Sequence, residues 1–144
     1  MRDDLKLLDT NIFIYAQGGP NRLFGACRAI VASLGSDSSE YTIDTELLQE
    51  ILRVYNLRGE RARAFRTFDR LISLFPQPLP LAAEESLLAR EFLERYPALT
   101  LRDAIHAAVV STHHLEGIVT TDPAFAQIQG LTIFNPISME SEIS

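Results

Sequence analysis

Apolar residues recur along this chain in short runs and in helical spacings that take turns from one end to the other. Leu5-Lys6-Leu7-Leu8 is the kind of brief apolar run that a buried strand presents, and Ile12-Phe13-Ile14-Tyr15-Ala16 continues it as a helix. Gly18-Gly19-Pro20-Asn21 breaks the pattern. Leu23, Phe24, Ala26, Cys27, Ile30, Val31 and Leu34 then fall at helical spacing, and Gly35-Ser36-Asp37-Ser38-Ser39 ends that helix in a polar loop. Tyr41-Thr42-Ile43 is a second strand. From Thr45, the residues Leu47, Leu48, Ile51, Leu52 and Tyr55 recur at i, i+3, i+4, which predicts a helix ending near Gly59.

A further helix fits residues 60–75, halted by Pro76-Gln77-Pro78-Leu79-Pro80. Leu79-Pro80-Leu81-Ala82 reads as a short strand, confined by its proline to an edge or a strand start. Residues 83–95 and 101–114 are helical, Ile118-Val119-Thr120-Thr121 is a strand, residues 123–129 make a helical turn or two, and Leu131-Thr132-Ile133-Phe134 is the last strand. Strand and helix alternate throughout. That order predicts an α/β fold: a three-layer α/β/α sandwich around a mostly parallel sheet of four or five strands. All 144 residues are expected to form one domain, with its core over about 5–136 and a frayed tail after Pro136.

Composition narrows the function classes. No apolar stretch approaches the ~18 residues of a membrane helix, and a lone cysteine, Cys27, excludes an internal disulfide or a zinc cluster. A soluble, cytoplasmic protein is expected, with Cys27 as a small buried apolar side chain. The net charge of −6 argues against indiscriminate coating of nucleic acid. The average conceals an asymmetry. Arg53, Arg58, Arg61, Arg63, Arg66 and Arg70 stand against only Glu60 and Asp69, so residues 53–70 carry +4 and the remainder −10. Such a stretch is either a solvated helix face or a phosphate-tracking flank, and the near-exclusive use of arginine over lysine leans toward the second.

The candidate chemistry lies in four acidic residues. Asp9 closes the first strand, Asp122 closes Ile118-Val119-Thr120-Thr121, Asp103 sits in the first turn of the helix from Leu101, and Glu50 rides on the helix from Thr45. A parallel sheet delivers such positions to one rim. Carboxylates crowded together repel unless a proton or a cation intervenes, so their convergence would imply a divalent metal. Each also has a simpler explanation. Thr100-Leu101-Arg102-Asp103 matches a capping box, Asp122-Pro123 a helix start, and Asp9 a cap for a helix at Thr10. Glu50 offers no cap, and Glu46, one turn earlier on the same face, is its rival. His106, His113 and His114 lack the i, i+4 pairing of a zinc helix and are expected at the surface or half-buried near a helix C-terminus. The chain has no Gly-x-Gly-x-x-Gly, Walker A or Gly-x-Ser-x-Gly motif.

Leu8-Asp9-Thr10-Asn11, Leu48-Gln49-Glu50, Arg102-Asp103-Ala104-Ile105-His106-Ala107-Ala108 and Thr120-Thr121-Asp122-Pro123-Ala124-Phe125 together resemble the PIN-domain family, in particular the ribonuclease toxins of VapBC toxin-antitoxin pairs. The resemblance covers roughly residues 5–136. It implies that Asp9, Glu50, Asp103 and Asp122 are catalytic and bind metal, with Glu50 fitting the family position better than Glu46. It implies that Thr10, Asn11, Thr120 and Thr121 support them, and that Arg53, Arg58, Arg61 and Arg102 hold flanking phosphates. Pro123 departs from the pattern.

Mg²⁺ or Mn²⁺ is the implied cofactor, since hard oxygen ligands without His or Cys select such ions. The implied activity is endonucleolytic RNA hydrolysis leaving a 5′-phosphate and a 3′-hydroxyl. The implied partners are an RNA substrate, a cognate antitoxin and a second copy of the chain. A haloacid-dehalogenase type of phosphohydrolase is ranked low because position 11 is asparagine rather than a second acid. The rival from another class is a catalytically silent module of the same fold that binds RNA or a protein.

Overall fold

Leu7 and Leu8 leave one strand in opposite directions, and the fold is built on that alternation. The computed structural model describes residues 4–18, 22–36 and 40–143, with side chains through Met139. The expected breaks at Gly19-Pro20-Asn21 and Asp37-Ser38-Ser39 lie outside the described residues. In chain order the elements are β1 (Lys6–Leu8), α1 (Thr10–Gln17), α2 (Phe24–Leu34), β2 (Tyr41–Thr42), α3 (Thr45–Leu57), α4 (Arg61–Leu74), α5 (Ala83–Arg95), α6 (Leu101–Thr112), β3 (Gly117–Val119), a 3-10 helix (Pro123–Gln127), β4 (Ile133–Phe134) and α7 (Pro136–Ile143).

The four strands form one parallel sheet in the order β2-β1-β3-β4. Leu7 pairs in register with Ile118, and both enter a core made with α5 and α6; Leu8 pairs with Val119, and both enter a core made with α1, α2, α3 and α4. Two apolar cores on two faces of one sheet make the three-layer sandwich. From β1 the chain moves outward to β2, and from β3 it moves outward the other way to β4, so the strand order reverses between β1 and β3. A crevice opens at the carboxyl ends of strands where that reversal occurs. Asp9 follows β1 there, and Thr120 and Asp122 follow β3.

Three local departures from the sequence pattern have physical causes. Leu79-Pro80-Leu81-Ala82 is not a strand: Leu79 makes a single parallel bridge to Asp44, Pro80 has no N–H to continue it, and the Leu81 N–H turns to Thr45 Oγ1 at 3.2 Å. The chain after Pro136, expected to fray, forms α7 and packs against α2. Pro136 is the first residue of that helix rather than a stop, and Asn135 Oδ1 accepts the Ile137 N–H at 2.9 Å as its cap. The third is α6, buried on every face over residues 103–110. Ala104, Ala107 and Ala108 are small enough for neighbours to close on it from all sides. Gly59, in the left-handed region at φ 75°, ends the α3 stretch where the spacing places it. No helix among the described residues is long and apolar enough to cross a membrane.

Gly117 opens β3 between two neighbours and has room for no side chain. A Cβ there would collide with the Thr132 carbonyl and stand 2.9 Å from Phe134 Cε2. Gly117→Ala should therefore destabilise the fold by about 1–3 kcal/mol, the usual cost of overpacking. A thermal melt checks this; an unchanged midpoint would mean that β4 yields freely.

Candidate active site

Asp9 is the N-cap residue of α1 by backbone, yet its side chain makes no capping bond, which leaves the carboxylate to the crevice. It is buried, and Thr120 Oγ1 donates to its Oδ2 at 2.7 Å. The same Thr120 oxygen accepts the Asp122 N–H at 3.0 Å, so one hydroxyl ties the ends of β1 and β3 together. Asp122 starts the 3-10 helix, its Oδ1 accepting the Ala124 N–H at 2.9 Å with Pro123 behind it. Pro123 thus supports the cap and leaves Asp122 beside Asp103.

Asp103 enters from α6, whose N-terminus is capped by Thr100 accepting the Asp103 N–H at 3.2 Å. Its own carboxylate is buried, and Oδ2 accepts no hydrogen bond. Burial, the Asp122 carboxylate alongside and the charge of Asp9 push Asp103 up to about 7. Burial also raises Asp9, against the pull of His106 and Thr120. Asp103 is thus repelled by Asp122 and by Asp9, and Asp9 in turn by Glu50.

Glu50 joins them from α3 and is 3% exposed. Thr10 Oγ1 donates to its Oε1 at 2.9 Å, His106 Nε2 reaches the same oxygen at 2.9 Å, and Arg102 donates to Oε2 at 3.0 Å. Burial would raise this carboxyl, but His106, Thr10 and Arg102 hold it below the usual range. Glu46 is half-buried, raised by burial and then by the charge of Glu50, and lines the same groove as Glu50.

His106 corrects the sequence expectation. Far from the surface, it is fully buried at the middle of the site. Nδ1 lies 2.6 Å from Asp44 Oδ2, and Nε2 faces Glu50 Oε1, Thr10 Oγ1 at 3.3 Å and Asp9 Oδ1 at 3.9 Å. Burial disfavours its charge, yet Asp44, Glu50 and Asp9 together raise it well above the ordinary histidine value. With carboxylate oxygens of Asp44 and Glu50 within hydrogen-bond distance of Nδ1 and Nε2, the geometry suits a ring that donates through both nitrogens. Asp44, also fully buried, was passed over by sequence reasoning; its Oδ1 caps α3 through the Leu47 N–H at 3.0 Å.

The remaining expected residues divide. Among the described residues, Asn11 and Thr121 make no side-chain hydrogen bond to these carboxylates, so Thr10 and Thr120 alone do the tethering. Arg102 donates through Nη1 to Glu50, and Arg58 stacks over Tyr55. Arg53 and Arg61 line a groove of about 540 Å³ between α3 and α4 that begins at Glu50 and includes Gln49, Asn56 and Phe65.

Hard, all-oxygen donors, with a buried Asp103 oxygen lacking any partner, fit a small divalent cation. Among the described residues, however, no three His, Cys, Asp or Glu side chains close on one point as ligands of a filled site do, and Glu50 is engaged by His106, Thr10 and Arg102.

Known proteins resemble this chain in sequence and in fold. The family model described as the PIN domain matches residues 6–131. Ribonuclease VapC13 of Mycobacterium tuberculosis is 32% identical over 127 residues, 87% of this chain and 95% of that protein. Among solved structures, a toxin-antitoxin complex from Klebsiella pneumoniae superimposes with a TM-score of 0.65 at 23% identity, covering 91% of this chain and 97% of that one. VapBC2 from Rickettsia felis, bound to a DNA fragment from the promoter, gives 0.67 at 19% identity over 91% and 98%.

Proposed function

The chain belongs to the PIN-domain family, and on that premise we propose that it is a metal-dependent endoribonuclease, the toxin of a toxin-antitoxin pair. The observation that carries this reading is the meeting of Asp9, Glu50, Asp103 and Asp122 at the rim between β1 and β3. Asp9, Asp103, Asp122 and Glu50 would hold Mg²⁺ or Mn²⁺. When bound, such an ion polarises a phosphoryl oxygen and makes the water it holds more acidic.

The protein's own groups prepare that chemistry. Thr120 fixes one Asp9 oxygen, and the other lies 3.9 Å from His106 Nε2. Below about pH 7 Asp103, raised by burial and by the Asp122 carboxylate beside it, keeps a proton that a cation must displace. Without a cation the acidic centre repels a phosphate backbone, so RNA enters only with metal. The groove from Glu50 past Arg53 and Arg61 gives the strand its path, two guanidiniums gripping phosphates beside the cut. The ribonuclease name of the VapC13 relative supports the substrate, and the toxin-antitoxin complexes among the structural relatives support an antitoxin partner. The enzyme works in the cytoplasm as a homodimer.

A silent RNA- or protein-binding module is the second reading, favoured by the engagement of Glu50 with His106, Thr10 and Arg102. A Mn²⁺ titration followed by electron paramagnetic resonance separates the two, since a silent module leaves the free-ion signal unchanged. Its pH dependence is set by Asp103. Below about 7 the ion must displace a proton, and above it the carboxylate is already ionised. Apparent affinity should climb about tenfold per pH unit up to roughly 7 and then level off. Affinity flat from acid to neutral pH would remove Asp103 from the ligand set.

A further inference from the structure

Taking the four carboxylates as the ligands of the ion, we propose that His106 and Asp44 are positioning residues that pin one Glu50 oxygen and present the other to the metal. The two Glu50 oxygens are not equivalent. Oε1 receives both Thr10 Oγ1–H and His106 Nε2–H, each at 2.9 Å, which occupies both of its in-plane lone pairs. Oε2 receives Arg102 alone and retains one. A glutamate ends in a broad, two-fold torsion about its last bond, so nothing in the side chain itself chooses between the oxygens. The choice is made from outside.

The group that makes it is anchored at both ends. Asp44 Oδ1 caps α3 through the Leu47 N–H, and its Oδ2 holds His106 Nδ1 at 2.6 Å. His106 crosses from α6 back to Glu50 on α3, so the start of α3, one ring of α6 and the middle of α3 form a closed circuit. Asp44 and His106 are fully buried and Glu50 is 3% exposed, so water does not compete for these bonds. Neither Asp44 nor His106 belongs to the four-acid pattern. Ligand-orienting partners of this kind are worth about 10- to 100-fold in metal affinity.

Two substitutions of one residue isolate the bond to Glu50. Asn places its amide nitrogen where the imidazole has Nδ1, and Gln places it where the imidazole has Nε2. His106→Asn keeps a donor for Asp44 and loses the one for Glu50; His106→Gln does the reverse, and both remove the ring's charge. The readout is Mn²⁺ affinity by paramagnetic resonance at one pH, beside a thermal melt and kcat and KM on RNA. Expected is a Mn²⁺ affinity about 10- to 100-fold weaker for His106→Asn, with His106→Gln close to wild type although its melt is lowered by the unpartnered Asp44.

Equal affinities in the two variants, or a weaker Gln variant, would overturn the positioning role while leaving the nuclease reading intact. A wild type that binds no Mn²⁺ overturns both. Wild-type protein gives a check that no folding defect can obscure: the His106 Nε2–H resonance, shifted downfield and slow to exchange, should persist when Mg²⁺ saturates the site. Its disappearance on adding Mg²⁺ would show that Glu50 abandons the ring to reach the ion.

Discussion

Asp103→Asn is expected to stop RNA cleavage while making the metal-free protein more stable. The carboxylate is buried, one oxygen has no partner, and burial with Asp122 and Asp9 beside it raises Asp103 to about 7. An acid raised in the folded state contributes stability below its ordinary value of 3.8, and that stability is lost as pH rises through about 7. At pH 8 the folded protein therefore carries an uncompensated repulsion that asparagine removes. The gain should be on the order of 1–2 kcal/mol, each worth about 2–4 °C in a chain of this size. It should fade toward pH 4, where aspartate is protonated too. Activity should fall by ~10³-fold or more, as when one member of a cooperating catalytic set is lost. Melts at pH 8 and pH 4 with EDTA present check the first half. A midpoint lowered at pH 8 would mean that Asp103 is not under the strain its surroundings imply.

His106→Ala should damage the fold more than any other single change in the site. The ring is the shared donor for Asp44 and Glu50 and lies 3.9 Å from an Asp9 oxygen, all in the protein interior. Removing one partner of a buried, hydrogen-bonded charge pair costs about 3–5 kcal/mol because the other partner stays buried without compensation. The melting temperature should drop on the order of 10 °C. The pH dependence has a definite sign. His106 is raised above the ordinary 6.5, so its stabilisation is fully present below that value and is lost as pH rises through its folded value. The gap between wild type and variant should therefore be wide at neutral pH and narrow in alkali. A variant that melts with wild type at pH 7 would show that the ring carries no such burden.

The features legible in the sequence are those that depend on periodicity and on strand ends. Leu7 and Leu8 already announce a strand buried on both faces, and Asp9 and Asp122 fall at the ends of the two strands that turn out to be adjacent at the reversal of strand order. Glu50 was separable from Glu46 only through its family resemblance, because both lie on one helical face. Asp44 was hidden by a sufficient local explanation. It precedes Thr45 as Asp9 precedes Thr10, and capping α3 accounts for it until its second oxygen is seen to hold His106.

His106 was hidden by its neighbours. With His113 and His114 it was expected at the surface or half-buried near a helix C-terminus, yet His113 is half-buried, His114 is exposed and, of the three, only His106 is enclosed. The available signal was the run of alanines around it, since a helix of small residues invites contact on every side. Arg102 has a contact that its charge alone did not suggest: one residue before Asp103 at the start of α6, its Nη1 reaches Glu50.

The measurement that bears most directly on the whole account is cleavage of a mixed cellular RNA pool by the purified, folded protein with Mn²⁺ or Mg²⁺, run beside EDTA and Asp9→Asn. Discrete fragments with 5′-phosphate ends that need the metal and vanish in the variant are the expected result. RNA left intact by wild type in the presence of metal would contradict it, as would fragments that persist in EDTA or in Asp9→Asn.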